Sequence, residues 1–178
     1  MSTPIISERF TTEVNEPFVV FLIGARINQM TAVRRWSSVV RAMGQMLPVL
    51  YQYPQKGFLG GESFFRLFPV TTVLISYWRS FEDLERFARS KDDPHLAAWQ
   101  DFYRQGGTDG KVGIWHETYM IEPGKYEVVY ANMPLFGLAK ATGKPMPTGG
   151  HRTKARGRVT GQHVDLAPEL EVTETHQA

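Results

Sequence analysis

Two histidines stand where an imidazole could do chemistry. His95 falls at the second position of a helix predicted to start at Asp93-Pro94, an N-cap followed by a first-turn proline. Trp99 and Phe102 follow on the same helical face. The partial positive charge of a helix N-terminus disfavours imidazolium, so this ring is expected neutral, able to accept a proton or bind iron. His116 lies mid-strand and shares its parity with Val112, Ile114, Thr118 and Met120, while Trp115, Glu117 and Tyr119 point the other way. Buried there, it needs a hydroxyl or carbonyl partner across the sheet. The plain alternatives are a surface histidine near a cap for His95 and a satisfied core or interface histidine for His116.

Arg26 and Asn28 extend one face of the first strand, and Arg66 lies inside the second. Any of these could polarise a bound oxygen or carboxylate, or simply form a rim ion pair. The catalytic candidates are therefore His95, His116, Arg66 and Asn28. Trp36, Phe65, Tyr77, Trp78, Trp99 and Phe102 are the candidate walls of an apolar pocket wide enough for a flat guest, with ordinary core packing as their other role.

Several chemistries are excluded. The chain has no cysteine, which removes disulfides, thiolate metal sites and cysteine nucleophiles. The run His116-Glu117-Thr118-Tyr119-Met120 has a methionine where a zinc-protease helix needs its second histidine, and no metal site is expected. The Gly57 to Gly61 segment lacks the spacing and lysine of a phosphate-binding loop, and no dinucleotide fingerprint follows a strand. Carboxylates are scattered without a facing pair, so glycosidase logic has no support. A net charge of +2 gives no nucleic-acid footprint.

The elements that must position these residues follow from periodicity. Glu16 to Ile27 is a continuous apolar run suited to a strand buried on both faces. From Thr31, the spacing of Val33, Trp36, Val40, Met43 and Leu47 predicts a helix that Pro48 ends or kinks. KGFLGG (Lys56 to Gly61) reads as a mobile loop, and Glu62 to Phe68 with Thr71 to Trp78 as a hairpin around Pro69. Ser80, three residues before Asp83, opens a short helix carrying Phe81, Leu84 and Phe87. After the helix of His95, Lys111 to Ile121 and Tyr126 to Ala131 are expected strands, separated by a turn at Glu122-Pro123-Gly124.

At 178 residues, 42% hydrophobic and 21% charged, the chain suits an ordinary soluble domain. The order predicts an α+β, ferredoxin-like (split βαβ) antiparallel sheet with helices on one face, occupying residues 1–138. Strands apolar at both parities ask for cover on the second face, and the cheapest cover is a second copy related by a two-fold axis: a homodimeric α/β barrel. From Lys140 to Arg158 there are six basic and no acidic residues, followed by the acids Asp165, Glu169, Glu171 and Glu174, and residues 139–178 are expected to form a disordered tail. The start lacks a signal pattern, and the longest apolar stretch, Pro17 to Ala25, is shorter than the about 20 residues of a spanning helix. A cytoplasmic location is expected, with no membrane and no nucleic acid among the partners.

The segments SYWRSFEDLERFARS, DPHLAAWQDFYR, VGIWHETY and YEVVYANMPLFGL, over Phe18 to Leu138, resemble the monooxygenase-like family typified by the antibiotic-biosynthesis-type monooxygenase of the fumagillin pathway. The resemblance implies the dimeric α/β barrel. It also implies an oxidation of a small hydrophobic substrate, of the secondary-metabolite kind, with His95 at the place of the helix histidine of related small monooxygenases. The wider superfamily includes haem-degrading monooxygenases, chlorite dismutases, dye-decolourising peroxidases and haem aldoxime dehydratases. The chemistry is then cofactor-independent or assisted by haem b, with His95 or His116 as the axial ligand. A haem lyase of aldoxime-dehydratase type and a non-catalytic ligand-binding dimer are the competing readings.

Overall fold

The computed structural model describes residues 4–90, 100, 104 and 109–160. In chain order the elements are β1 (Phe10–Thr11), β2 (Phe18–Ile27), α1 (Val33–Gln52), β3 (Phe58–Arg66), β4 (Thr71–Trp78), α2 (Phe81–Arg89), β5 (Val112–Ile121), α3 (Gly137–Thr142), β6 (Met146–Pro147) and α4 (Ala155–Thr160). β2 to β5 form a four-stranded sheet in the order β3-β4-β2-β5, every pair antiparallel. This is the α+β, ferredoxin-like arrangement expected from the sequence.

Register assigns each side chain to a face, because directly paired residues of antiparallel strands point the same way. Val19, Phe21, Ile23 and Ala25 of β2 pair with Trp78, Ser76, Leu74 and Thr72 of β4, and this face receives α1 and α2. Its main core joins Val19, Leu50, Phe58, Trp78, Leu84 and Phe87. Trp78 is 1% exposed and its Nε1–H donates to Ser76 Oγ at 3.0 Å, so the indole is buried without an orphaned donor. α2 starts as its sequence requires, with Ser80 Oγ accepting from the Asp83 N–H at 3.2 Å.

Several expectations are corrected. α1 runs through Pro48 to Gln52. Leu50 packs into the core beyond the proline, as Leu47 does just before it, and that burial offsets the hydrogen bond a proline removes. Its packed face carries Trp36, Val39, Leu47 and Leu50, whereas Val33 and Val40 are exposed. KGFLGG is not a loop, because β3 begins at Phe58. Tyr126 to Ala131 makes no strand of the sheet; Tyr130 forms an isolated bridge to Phe10, with N–H···O bonds of 2.9 Å in both directions.

The tail is corrected over residues 139–160. α3 lies on the face of the sheet opposite α1 and α2, where Phe136 meets Phe64 edge-on and Lys140 Nζ reaches Glu62 at 2.9 Å. Gly60 makes this possible: a Cβ there would stand 3.1 Å from Cα and Cβ of Ala141. Further on, β6 pairs with β1, Arg152 Nε donates to Glu13 at 2.5 Å and Arg158 Nε to Glu127 at 2.6 Å. The basic run lacks acids of its own but meets acids from other parts of the chain. Residues 161–178 lie outside the described residues.

Candidate functional site

β5 is an edge strand of the sheet beside β2, and α1 lies over β2 and β3 and α2 over β4. Its helix-side row is Val112, Ile114, His116, Thr118 and Met120, paired with Ile27, Ala25, Ile23, Phe21 and Val19. The row changes character along its length. Val112 is buried against Ala25 and Val39, Ile114 is half-buried, and His116, Thr118 and Met120 are exposed, Met120 to 75%. His116 is thus not the buried histidine expected from the strand. Its ring lies 5.8 Å from that of Phe21, giving the imidazole one aromatic neighbour and an open side.

At the far end of this row opens a cleft of about 680 Å³. Phe18, Val19, Phe81, Met120 and Ile121 give it an apolar floor, and Arg79, Glu82, Glu122 and Lys125 a charged rim. Arg79 is held by Asp83, whose buried carboxylate also binds Arg86 at 2.7 Å. His116 stands four residues from Met120, about 13 Å along the strand. Met120 joins the cleft to the exposed row of Thr118 and His116, so that a flat or extended hydrophobic molecule seated on the apolar floor could reach along the row to an imidazole able to exchange a proton with it.

The remaining sequence candidates scatter. His95, Trp99 and Phe102 lie outside the described residues. Arg66 is at the end of β3 on the face away from α1 and α2, three strands from β5, about 14 Å across the sheet. Asn28 follows β2, where Nδ2 donates to Gly110 O at 2.9 Å and ties down the approach to β5. It stands five residues beyond Ile23, about 17 Å from the level of His116. Trp36 packs with Ala25, Val39 and Val112 and donates to Met30 O at 3.1 Å, while Trp78 belongs to the main core. Phe65 is exposed on β3.

Tyr77 is on the opposite face, under α3. Burial, with Tyr130 and Glu62 as neighbours, pushes its phenol up to about 12. The structure therefore brings none of Arg66, Asn28, Phe65 or Tyr77 to His116. What the candidate residues omit is Phe21, Val19 and Phe81. The shared parity of His116, Thr118 and Met120 was the sequence signal for this strip.

Comparison with known proteins agrees with the fold. An aldoxime dehydratase crystal structure superposes with a TM-score of 0.59 at 17% identity, covering 74% of this chain and 42% of that one. SnoaB, a cofactor-independent oxygenase from Streptomyces nogalater, gives a TM-score of 0.39 at 15% identity over 59% of this chain and 93% of that one. A dimeric ferredoxin-like protein of unknown function from Bacteroides fragilis gives 0.41 at 15% identity, covering 62% of this chain and all of that one. The chain thus spans less than half the length of the aldoxime dehydratase it matches. No curated protein matches. Residues 18–138 match the family described as monooxygenase af470-like, and the chain belongs to that family.

Proposed function

We propose that the protein is a monooxygenase acting on a small hydrophobic substrate, of the secondary-metabolite kind, bound along the β5 strip. The observation that carries this reading is the exposed imidazole of His116 beside Phe21, in line with an apolar cleft. In the cofactor-independent form, His116 takes a proton from an acidic C–H of the substrate. The carbanion passes an electron to dioxygen and the pair recombine as a hydroperoxide. Loss of water then leaves a carbonyl, so one oxygen atom enters the product, the other departs as water, and the substrate supplies the electrons. Phe21 and the apolar floor hold the substrate against the strip.

A b-type haem needs an axial donor and cations for its two propionates. His116 meets the first need. Among the described residues of the strip and cleft the cations are Arg79, which Asp83 already holds, and Lys125, which leaves one uncommitted cation for two propionates, and no step is routed through haem. The lyase reading rests on a likeness of fold alone. His95 remains the imidazole that the family resemblance implies, and it is tested in parallel.

The half of the outer face that α3 leaves open carries exposed Tyr119 and half-buried Trp115, which suits a homodimer pairing there. A cytoplasmic location goes with this reading, and no described helix is long and apolar enough to cross a membrane.

Oxygen uptake with a panel of flat, acidic phenols and cyclic ketones tests the function. His116→Ala is expected to lower turnover about 100-fold or more, the usual worth of a positioned base. Uptake unchanged in His116→Ala but lost in His95→Ala moves the base to His95. Uptake by neither variant nor the parent, with binding retained, favours a carrier. A Soret band in protein produced with added haem, lost in His116→Ala, favours the haem reading.

A further inference from the structure

The end of the sheet away from the cleft has a different surface. Leu67 and Phe68 at the tip of the β3–β4 turn are 78% and 89% exposed. The Ile27 N–H donates to Val70 O at 2.9 Å, which places the chain leaving β2 beside this tip, and there Met30 and Val33 are each more than half exposed. Four large apolar side chains are thus exposed at one end of the sheet, where a soluble domain ordinarily shows them singly.

Cations surround them. Arg26 and Arg66 flank Thr71 in register on neighbouring strands, and Arg34 sits in the first turn of α1, which holds no acid. All three are exposed. Among the described residues the Arg66 guanidinium donates only to Pro69 O, at 3.4 Å, and the guanidinium groups of Arg26 and Arg34 have no hydrogen bond or ion pair. The acid described at this end, Asp109, accepts from the Lys111 N–H at 3.1 Å and lies 3.4 Å from both the Arg35 and Lys111 side chains; that backbone hydrogen bond first, and then the two cations, keep its carboxyl below the usual range.

We propose that this end docks on the headgroup layer of an anionic phospholipid membrane, with Leu67, Phe68, Met30 and Val33 entering the apolar boundary and the three arginines meeting lipid phosphates and carboxylates. A lipid surface supplies what the patch lacks, anions spread in a plane over an apolar layer. A second copy of the chain does not: a two-fold contact of this end with itself brings two sets of the same three arginines together, with Asp109, already held by Arg35 and Lys111, as the acid described on each side. A helix that crosses the bilayer is not needed for such contact, and the inference stands apart from the oxygenase reading.

The test is co-sedimentation of the full chain with vesicles of phosphatidylcholine alone and of phosphatidylcholine doped with phosphatidylserine, at low and high salt. Binding is expected to the doped vesicles and to weaken with salt. Arg26→Gln and Arg34→Gln should each lower the affinity about five-fold. The double variant Leu67→Ser with Phe68→Ser should abolish binding while circular dichroism and melting temperature stay unchanged, since both side chains are exposed. Failure to sediment with doped vesicles overturns the proposal, as does undiminished binding by the double variant. Light scattering in which the double variant breaks an oligomer assigns the patch to a second copy. Displacement of the vesicles by soluble poly-glutamate at matched charge assigns it to an acidic protein partner. Either result also overturns the membrane assignment.

Discussion

The two faces of the sheet are finished in opposite ways. On the outer face, the β3–β4 half is sealed by the chain itself: α3 crosses Gly60, Phe136 lies against Phe64, and the hydroxyls of Tyr77 and Tyr130 are drawn into the contact around Gly137. On the helix side, the β5 half is left open, and the side chains bared there are an imidazole, a hydroxyl and a thioether. Strands apolar at both parities need cover, but the cover need not be a second copy. Here a segment of low local hydrophobicity supplies half of it, and the open half of the other face is the place with room for a ligand.

The largest expected effect belongs to the closed part of the helix side. Trp78→Ala removes the most buried large side chain of the main core and should cost about 3–5 kcal/mol in urea unfolding. A loss below 1 kcal/mol would break the division between packed core and open strip.

Next comes the seal. Gly60→Val places branched carbons against Ala141, whose Cα and Cβ already stand 3.1 Å from the first added carbon, and should cost about 1–3 kcal/mol. Ala141→Gly in the same chain should recover part of that loss. Additivity of the two in a double-mutant cycle would show that α3 does not rest on Gly60.

The smallest effect is one of pH. The phenol of Tyr77 is raised from 10.0 to about 12, chiefly by burial, so between those values the unfolded chain releases this proton and the folded chain keeps it. Unfolding is then favoured, and stability falls as pH rises through that window; below it the contribution is fully present. Burial raises Tyr130 in the same direction. Tyr77→Phe should flatten the fall in the urea midpoint over the same window, and an unchanged slope would place Tyr77 outside the seal.

Much of the frame was legible in the sequence because its signals are local. Ser80 before Asp83 starts α2, the apolar run from Phe18 forms β2, and the alternation around His116 assigns faces correctly. What was not legible depends on distant partners. Pro48 reads as a stop or a kink, and only Leu50 in the core shows why the helix goes on. The glycines of β3 read as a loop until Ala141 is seen against Gly60. Lys140, Arg152 and Arg158 read as a solvated run until Glu62, Glu13 and Glu127 are found opposite them. His116 fails in the reverse sense: parity puts it on the covered face, but among the described elements α1 reaches β5 only at Val112 and Ile114, and the strand is exposed from His116 to Met120.

The central claim is that ligand lies on the helix side of β5. It is tested most directly by titrating the full chain with an apolar aromatic probe such as 2-naphthol while following the imidazole resonances of His116 and the methyl of Met120, with the indole N–H of Trp115 and the ring of Tyr119 as reporters of the other face. Saturable shifts at His116 and Met120, with Trp115 and Tyr119 unmoved, are expected. Shifts confined to Trp115 and Tyr119 would contradict the account.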